Sequence, residues 1–530
     1  MIFSKSPGIR PLATLAAVAF LALAPQAQAQ EGTLVIARDM DLNSLDPHRG
    51  WCDTCQIYNT SVYEQLTTLN ADNQVVPLLA ESWEVNPGQT EFIFKMNPKA
   101  VFSDGSPVEA KDVKWSFERL KNLKANASFL TDPIKTIEAP DKVTVKISLV
   151  AANSEFLQIL AAGTLSVINS DVAIAQGALS DASAVSGDTA EAWLLANSAG
   201  SGPFLLESYE PNAELRLKRN QSYWRDAPGF DEVVFRQVRD AVSQAQMLQS
   251  GSVDIAMQVD PETAKVLTGG DTTVQSVPSY NFVYVALAPG AEDLTVELTP
   301  EVREALSLAI DRTALIDFTL AGAGRALATP IPLGFPGSDG ETITPYDPDS
   351  AKALLAKAGH VDGFTIKAVY PDMNVYGIDF SLMMQKVAQD LDKIGVTVDL
   401  NPVPFANWRE QVNGPGIPMT LVFYAPDFFG TSQYVDYFGL IPGSVWSDRA
   451  SGGKGPPVVN TKIAAVRDAA LAAPSAADAA KKWDEAGIMM REDRIILPMV
   501  SPDLMLAYRK GIEGVRYSLC CNLPLAEISN

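Results

Sequence analysis

Apolar and polar residues alternate at 92–96, where Phe92, Phe94 and Met96 share one face. Period two predicts a strand with one buried side. The turn Phe102-Ser103-Asp104-Gly105 follows, with a glycine suited to positive φ and an aspartate able to bond nearby backbone. Past it the period lengthens. Val113, Phe117 and Leu120 recur at helical spacing, which predicts a helix over 108–120. The same reading gives short strands at 33–38 and 143–149 and a helix at 55–66. It makes 151–200, rich in Ala and Ser, largely helical.

The second half carries clearer punctuation. Thr299-Pro300 starts a helix with an N-cap threonine and a first-position proline, and Val302, Ala305, Leu306, Ala309 and Ile310 form its apolar face. Asp347-Pro348 caps another helix, which Gly359 ends. Strands are predicted at 363–370 and 396–403. Between them lies a helix, 379–394, with Phe380, Met383, Met384, Val387, Leu391 and Ile394 on one face and Gly395 as its stop. Strand, helix, strand implies a right-handed parallel unit. Trp408 falls on a short helix and 420–424 reads as a buried strand, so the second half contains an α/β lobe.

The N-terminus reads as an export signal. Lys5 and Arg10 precede an apolar stretch at 12–24, and Ala27-Gln28-Ala29 is an A-x-A cleavage site. This predicts a signal peptide over 1–29 and a mature start at Gln30; an anchoring helix is the competing reading. The 530 residues exceed what one hydrophobic core supports, so two or three lobes are expected. With 41 Lys+Arg against 63 Asp+Glu, the net charge is −22, and more negative once the leader is removed. That argues against nucleic acid or anionic lipid as partner.

Four cysteines form two local pairs, Cys52 with Cys55 and Cys520 with Cys521. Three disulfide connectivities are open, two local bridges or cross-pairing of the chain ends, and no free thiol is expected after export. A redox Cys-x-x-Cys centre lacks its βαβ setting, and an oxidising compartment disfavours four-thiolate zinc. The two histidines, His48 and His360, fall in a turn and after a helix-ending glycine, positions that suit structural roles. No metalloprotease, nucleophile-elbow or phosphate-loop motif is present. Residues 452–457, Gly-rich, read as an exposed loop. A secreted hydrolase, the reading from another class, therefore lacks a nucleophile or metal site.

Several segments occur in a recognisable order. Leu45-Asp46-Pro47-His48 comes first. PLLAESWEV and VFSDGSPVEAKDVKWSFERL follow between Pro77 and Leu120. Then come Gly200-Ser201-Gly202-Pro203-Phe204, the run from Leu215 to Asn220 ending at Tyr223-Trp224, and MLQSGSVD from Met247 to Asp254. Arg303, Ala305-Leu306, Ala309-Ile310-Asp311-Arg312 and the stretch from Tyr346 to Gly359 close the series. This order resembles the extracytoplasmic solute-binding proteins of family 5, the peptide/opine/nickel class of bacterial ABC importers, and covers nearly the whole mature chain.

The resemblance implies a type II periplasmic binding protein fold of class α/β, two lobes around a ligand cleft with a smaller accessory domain. Carried over, the first lobe comprises 30–75, 197–297 and 503–530, the accessory domain 76–196, and the second lobe 298–502. The implied role is a monomeric periplasmic carrier. It captures a small solute, a peptide or opine first, and delivers it to an inner-membrane permease with its ATPase, without catalysis, cofactor or metal. Oligosaccharides and sugar phosphodiesters are the alternative ligands, and sensing is an alternative use. The scarcity of histidine argues against direct nickel ligation. The resemblance places Trp51, Cys52 and Asp53 along the cleft, with Trp408, Tyr424 and Asp427 opposite, and Tyr434, Tyr437 and Trp446 crowd the same region. Asp427 is the acid expected to pair with a ligand amine; the family's second acid is absent, Phe428-Phe429 following instead. Core packing for the aromatic residues and a turn-capping role for Asp427 are the competing readings.

Overall fold

The computed structural model describes Met1 and residues 32–530, apart from 339–341, 376, 453–454 and 520–521. The expected leader, Met1 aside, and the Cys520-Cys521 pair lie outside the described residues. Among the described residues no helix is long and apolar enough to cross a membrane.

Two β-sheets meet through one strand. In the first, Thr33–Arg38 runs parallel to Glu232–Gln237 on one side and to Ile255–Val259 on the other. Glu214–Arg219 and Phe204–Glu210 extend it antiparallel. Leu34, Ile36, Leu217 and Phe235 point into one core, with Ile57, Tyr58 and Val62 of helix Asp53–Val62 against them. That helix begins two residues earlier than its apolar period suggested, because Cys52 serves as N-cap.

In the second sheet Phe364–Pro371 lies between Val396–Val403 and Met419–Tyr424, parallel to both. The expected helix between the first two spans Phe380–Asp392 and buries Phe380, Met383, Met384, Val387 and Leu391. Phe282–Leu287 pairs antiparallel with Met419–Tyr424.

The joining strand is Ile496–Arg509, 14 residues long. Its first part pairs with Phe282–Leu287 and Gly324–Ala326, its second with Thr272–Pro278 and Ile255–Val259. The chain therefore crosses between sheets twice, at 279–281 and near Ser501-Pro502. The crossings are tied together, since Ser279 Oγ donates to the Pro502 carbonyl at 2.6 Å. The carried-over boundary at 297 puts Phe282–Leu287 in the first lobe, but this strand pairs in the second sheet.

A third, four-stranded antiparallel sheet runs in the order Ala80–Val85, Glu91–Met96, Thr144–Leu149, Ile134–Asp141. Phe92, Phe94 and Met96 face its core together with Val113, Phe117 and Leu120 of helix Ala110–Leu123. Beyond Ile168 the chain leaves this core: Ala173, Ala190 and Leu194 pack with Leu34 and Ile36 of the first sheet. The 168–196 part of the expected accessory region thus packs on the first lobe.

The motif residues turn out to be interior joints. Arg119 is wholly buried and bonds Asp46 through two nitrogens at 2.8 and 2.6 Å and Asp188 at 2.8 and 3.0 Å. His48 Nδ1 lies 3.2 Å from Arg119, and its Nε2 lies 3.0 Å from the Ser166 carbonyl. Arginine and carbonyl fix the tautomer: Nδ1 accepts and Nε2–H donates. Glu64 gathers a second set, accepting from Ser201 at 2.8 Å, Tyr223 at 3.1 Å and Trp224 at 2.7 Å. Asp254 accepts from Val35 N–H at 2.7 Å and pairs with Arg509 at 2.9 Å. His360 lies edge-on to Phe364 at 5.3 Å.

Candidate functional site

The strand Met419–Tyr424 ends beside the first crossing, with Tyr424 opposite Phe282. The chain then turns through 425–431 into helix Ser432–Phe438. Tyr424 and Asp427 are brought together at this turn: the Tyr424 hydroxyl donates to Asp427 Oδ2 at 3.3 Å. Gln433 holds the turn, accepting from Asp427 N–H at 2.7 Å and donating to the Gly430 carbonyl at 2.7 Å. The Asp427 carboxylate is thus not the cap of the following helix, whose start carries no such bond from Thr431 either.

Burial pushes the Asp427 carboxyl up to about 7; the charge of Asp53 adds to the rise and the Tyr424 hydroxyl opposes it. Asp53 is the first residue of helix Asp53–Val62 in the first lobe. A carboxylate of the first lobe therefore acts on one of the second. Such a site favours an incoming cation, because a partly desolvated acid gains most from a positive partner.

Aromatic residues wall the acids. Tyr424 lies 5.5 Å from Tyr434 and 4.8 Å from Tyr437, ring to ring. Tyr434 is fully buried, and its hydroxyl has no hydrogen-bond partner among the described residues. Burial raises that phenol, and the charges of Tyr517 and Asp427 add to it. Phe335 contacts Phe429 at 5.2 Å, Tyr434 at 4.9 Å and Tyr280 at 5.8 Å. Tyr280 stacks on Tyr517 at 6.3 Å. It occupies the first crossing with φ of +57°, in the left-handed region that a non-glycine residue seldom adopts. Tyr280, Tyr517, Phe335 and Phe429 escaped the reading of the sequence. Only φ at Tyr280 marks it out, and no local pattern encodes that.

Of the remaining expected residues, Trp51 borders another core, whereas Trp408 and Trp446 share the hydrophobic core of Tyr434 and Phe335. Trp51 packs edge-on to Phe129 at 5.6 Å and borders the core of the third sheet, which also takes in Phe428. Trp408 and Trp446 are buried, their indoles donating to Thr420 Oγ1 at 2.8 Å and Tyr284 Oη at 3.3 Å. Arg449 lies between them, 5.5 and 5.3 Å from the two rings, and bonds Tyr437 Oη at 3.0 Å. Arg449 and Tyr437 link both tryptophans to Tyr424, and Trp446 reaches it also through Tyr284 and Phe438. Cys52 and Cys55 form a disulfide beside Asp53. Asn522 donates to the Asp53 carbonyl at 3.1 Å, bringing the C-terminal tail to the same helix start.

Residues 74–443 match the family described as bacterial extracellular solute-binding proteins, family 5, middle part. The chain is 27% identical over 528 residues to the probable D,D-dipeptide-binding periplasmic protein DdpA of Escherichia coli, covering 96% of each. It is 27% identical over 390 residues to the glutathione-binding protein GsiB of Pectobacterium atrosepticum, covering 73% of this chain and 72% of that one. Among solved structures, AgaA of A. tumefaciens in complex with agropinic acid superimposes with a TM-score of 0.76 at 24% identity, covering 94% and 98% of the two chains. NikA of Brucella suis with Fe(III)-EDTA does so with a TM-score of 0.79 at 20% identity, covering 94% and 99%. At these identities the structural likeness speaks for the fold, that of the type II periplasmic binding proteins.

Proposed function

The chain belongs to the family 5 bacterial extracellular solute-binding proteins, and on that premise we propose that its ligand is a peptide or peptide-like solute with a free amino group. The amine would sit between Asp427 and Asp53. The observation that carries this is the pairing of two acids from opposite lobes, one of them pushed up to about 7 by burial. A positive group entering there relieves the desolvation of the Asp427 carboxylate. The tyrosine and phenylalanine walls offer flat apolar area and hydroxyl groups for the rest of the ligand. Relatives named for dipeptides, tripeptides and glutathione support the substrate class. We further propose that the protein works as a monomer in the periplasm and hands its ligand to an inner-membrane permease of an ABC importer.

The test is native mass spectrometry of the protein as purified, followed by calorimetric titration with di- and tripeptides. Each peptide is offered with its amino terminus free or acetylated. Binding of the free form alone supports the reading. Equal binding of the acetylated form, or recovery of a neutral sugar, overturns it.

A further inference from the structure

The third sheet has no part in the acid pair, yet a carboxylate beside its core reaches into the second lobe. Glu155 is 6% exposed and accepts from the backbone N–H of Thr431 at 2.8 Å and of Ser432 at 3.0 Å. These are two of the donors that a helix leaves unsatisfied at its start, and the helix is Ser432–Phe438 of the second lobe. The partner supplying the cap stands 276 residues away in sequence. Glu155 is itself held from below, its own N–H donating to Asn153 Oδ1 at 2.9 Å.

A matching contact lies beside it. Ser154 N–H donates to the Leu471 carbonyl at 2.9 Å, and Gln89 Nε2 to the Ala473 carbonyl at 2.7 Å. Leu471 ends helix Thr461–Leu471, where carbonyls lack helical partners, and Ala473 lies two residues past it. One short edge thus caps the start of one second-lobe helix and the finish of another. Gly430 makes the approach possible, since a Cβ there would come within 2.5 Å of Glu155 Oε2.

We propose that Glu155 is a positioning residue, the latch that holds the second lobe closed on the third sheet and thereby fixes the turn carrying Asp427. The two crossings at 279–281 and 501–502 are where the lobes pivot. Swinging the second lobe away about them must break the bonds at Thr431, Ser432 and Leu471 together. The turn between Asp427 and Tyr434 is then released from its cap at the moment the cleft opens. The latch does not depend on which solute the cleft takes.

Hydrogen exchange and small-angle scattering on the full protein, without added ligand, test this. Wild type is compared with Glu155→Ala and with Glu155→Gln, which keeps the side-chain shape if the alanine variant folds poorly. The informative amide is that of Ser154, whose bond to Leu471 neither substitution touches. Expected for Glu155→Ala are about tenfold faster exchange at Ser154 as well as at Thr431 and Ser432, and a larger radius of gyration. Glu155→Gln, which retains one acceptor, should fall between. Faster exchange confined to Thr431 and Ser432 with an unchanged radius would reduce Glu155 to a local cap and overturn the proposal. So would a wild type in which all three amides exchange freely.

Discussion

Arg119 Nη2 lies 2.6 Å from Asp46 Oδ2, and neither side chain is open to solvent. The arginine also holds Asp188, so it balances two buried acids. Arg119→Ala removes the buried cation from both, leaving them only the longer contacts of the partly exposed Arg49 at 3.4 Å. Removing one side of a buried pair destabilises by about 3–5 kcal/mol. Denaturant unfolding of the variant beside wild type should show a loss of this size, and a difference under about 1 kcal/mol would refute the assignment.

His48 makes stability fall in mild acid. Burial, reinforced by the Arg119 charge, lowers its pKa from 6.5 to about 4. The folded protein keeps the ring neutral, whereas the unfolded chain takes up a proton near 6.5. Stability from this group is therefore complete above 6.5 and lost as pH falls from there towards 4, by about 3 kcal/mol in all. Unfolding at pH 7 and at pH 5 should differ accordingly, and His48→Gln should flatten the difference.

Asp427→Asn tests the ligand charge. Truncating one partner of a desolvated charge pair weakens binding by about 2–5 kcal/mol, roughly 30-fold or more. Calorimetric titration with the ligand recovered from the purified protein should show that loss, with little change in melting temperature. Wild-type affinity in a folded Asp427→Asn protein would mean that this acid does not hold the ligand.

The same carboxyl sets a pH dependence of binding. In the free protein it titrates at about 7, facing Asp53, Tyr424 and Tyr434. A bound cation stabilises the carboxylate and lowers that value. Affinity should be greatest above about 7 and decline below it, by up to about tenfold per pH unit, as ligand has to displace a proton. Folding of the free protein follows the opposite sign, since protonation between about 7 and 3.8 favours the folded state. Titrations in buffers of different ionisation enthalpy should reveal proton release at pH 6.

Glu64 joins three donors in the first lobe. Glu64→Ala strands the hydroxyls of Ser201 and Tyr223 and the indole of Trp224, each buried group costing about 1–3 kcal/mol when left unmade. A drop in melting temperature larger than that of a Leu→Ala change in the same core is expected in a thermal scan.

Local order was readable from the residues themselves. The stripe Phe380 to Leu391 and the caps at Thr299 and Asp347 lie where spacing and side-chain chemistry put them. Long-range pairings were not. Asp46 and Arg119 each sit in a recognisable motif, but nothing local says that the motifs meet across 73 residues. Phe282–Leu287 is buried on both faces, so its apolar run carries no information about which sheet claims it. Around the acids the difficulty is chemical. Trp408 and Trp446 have the composition of a cleft wall, yet aromatic side chains serve equally well to pack a core around Arg449. Glu155 was invisible because its partners are backbone N–H groups, which every sequence supplies.

The strand Ile496–Arg509 has a mechanical consequence. It belongs to the ladders of both lobes, and its neighbour at the crossing is bonded to it through Ser279 and Pro502. The lobes are therefore coupled by a stiff ribbon without slack, unlike beads on a cord. Relative motion has to be taken up as torsion over a few residues, with Tyr280 already wound to a left-handed dihedral at the pivot. Such a ribbon is a torsion bar: a twist applied in one ladder is carried by the same hydrogen-bonded strand into the other.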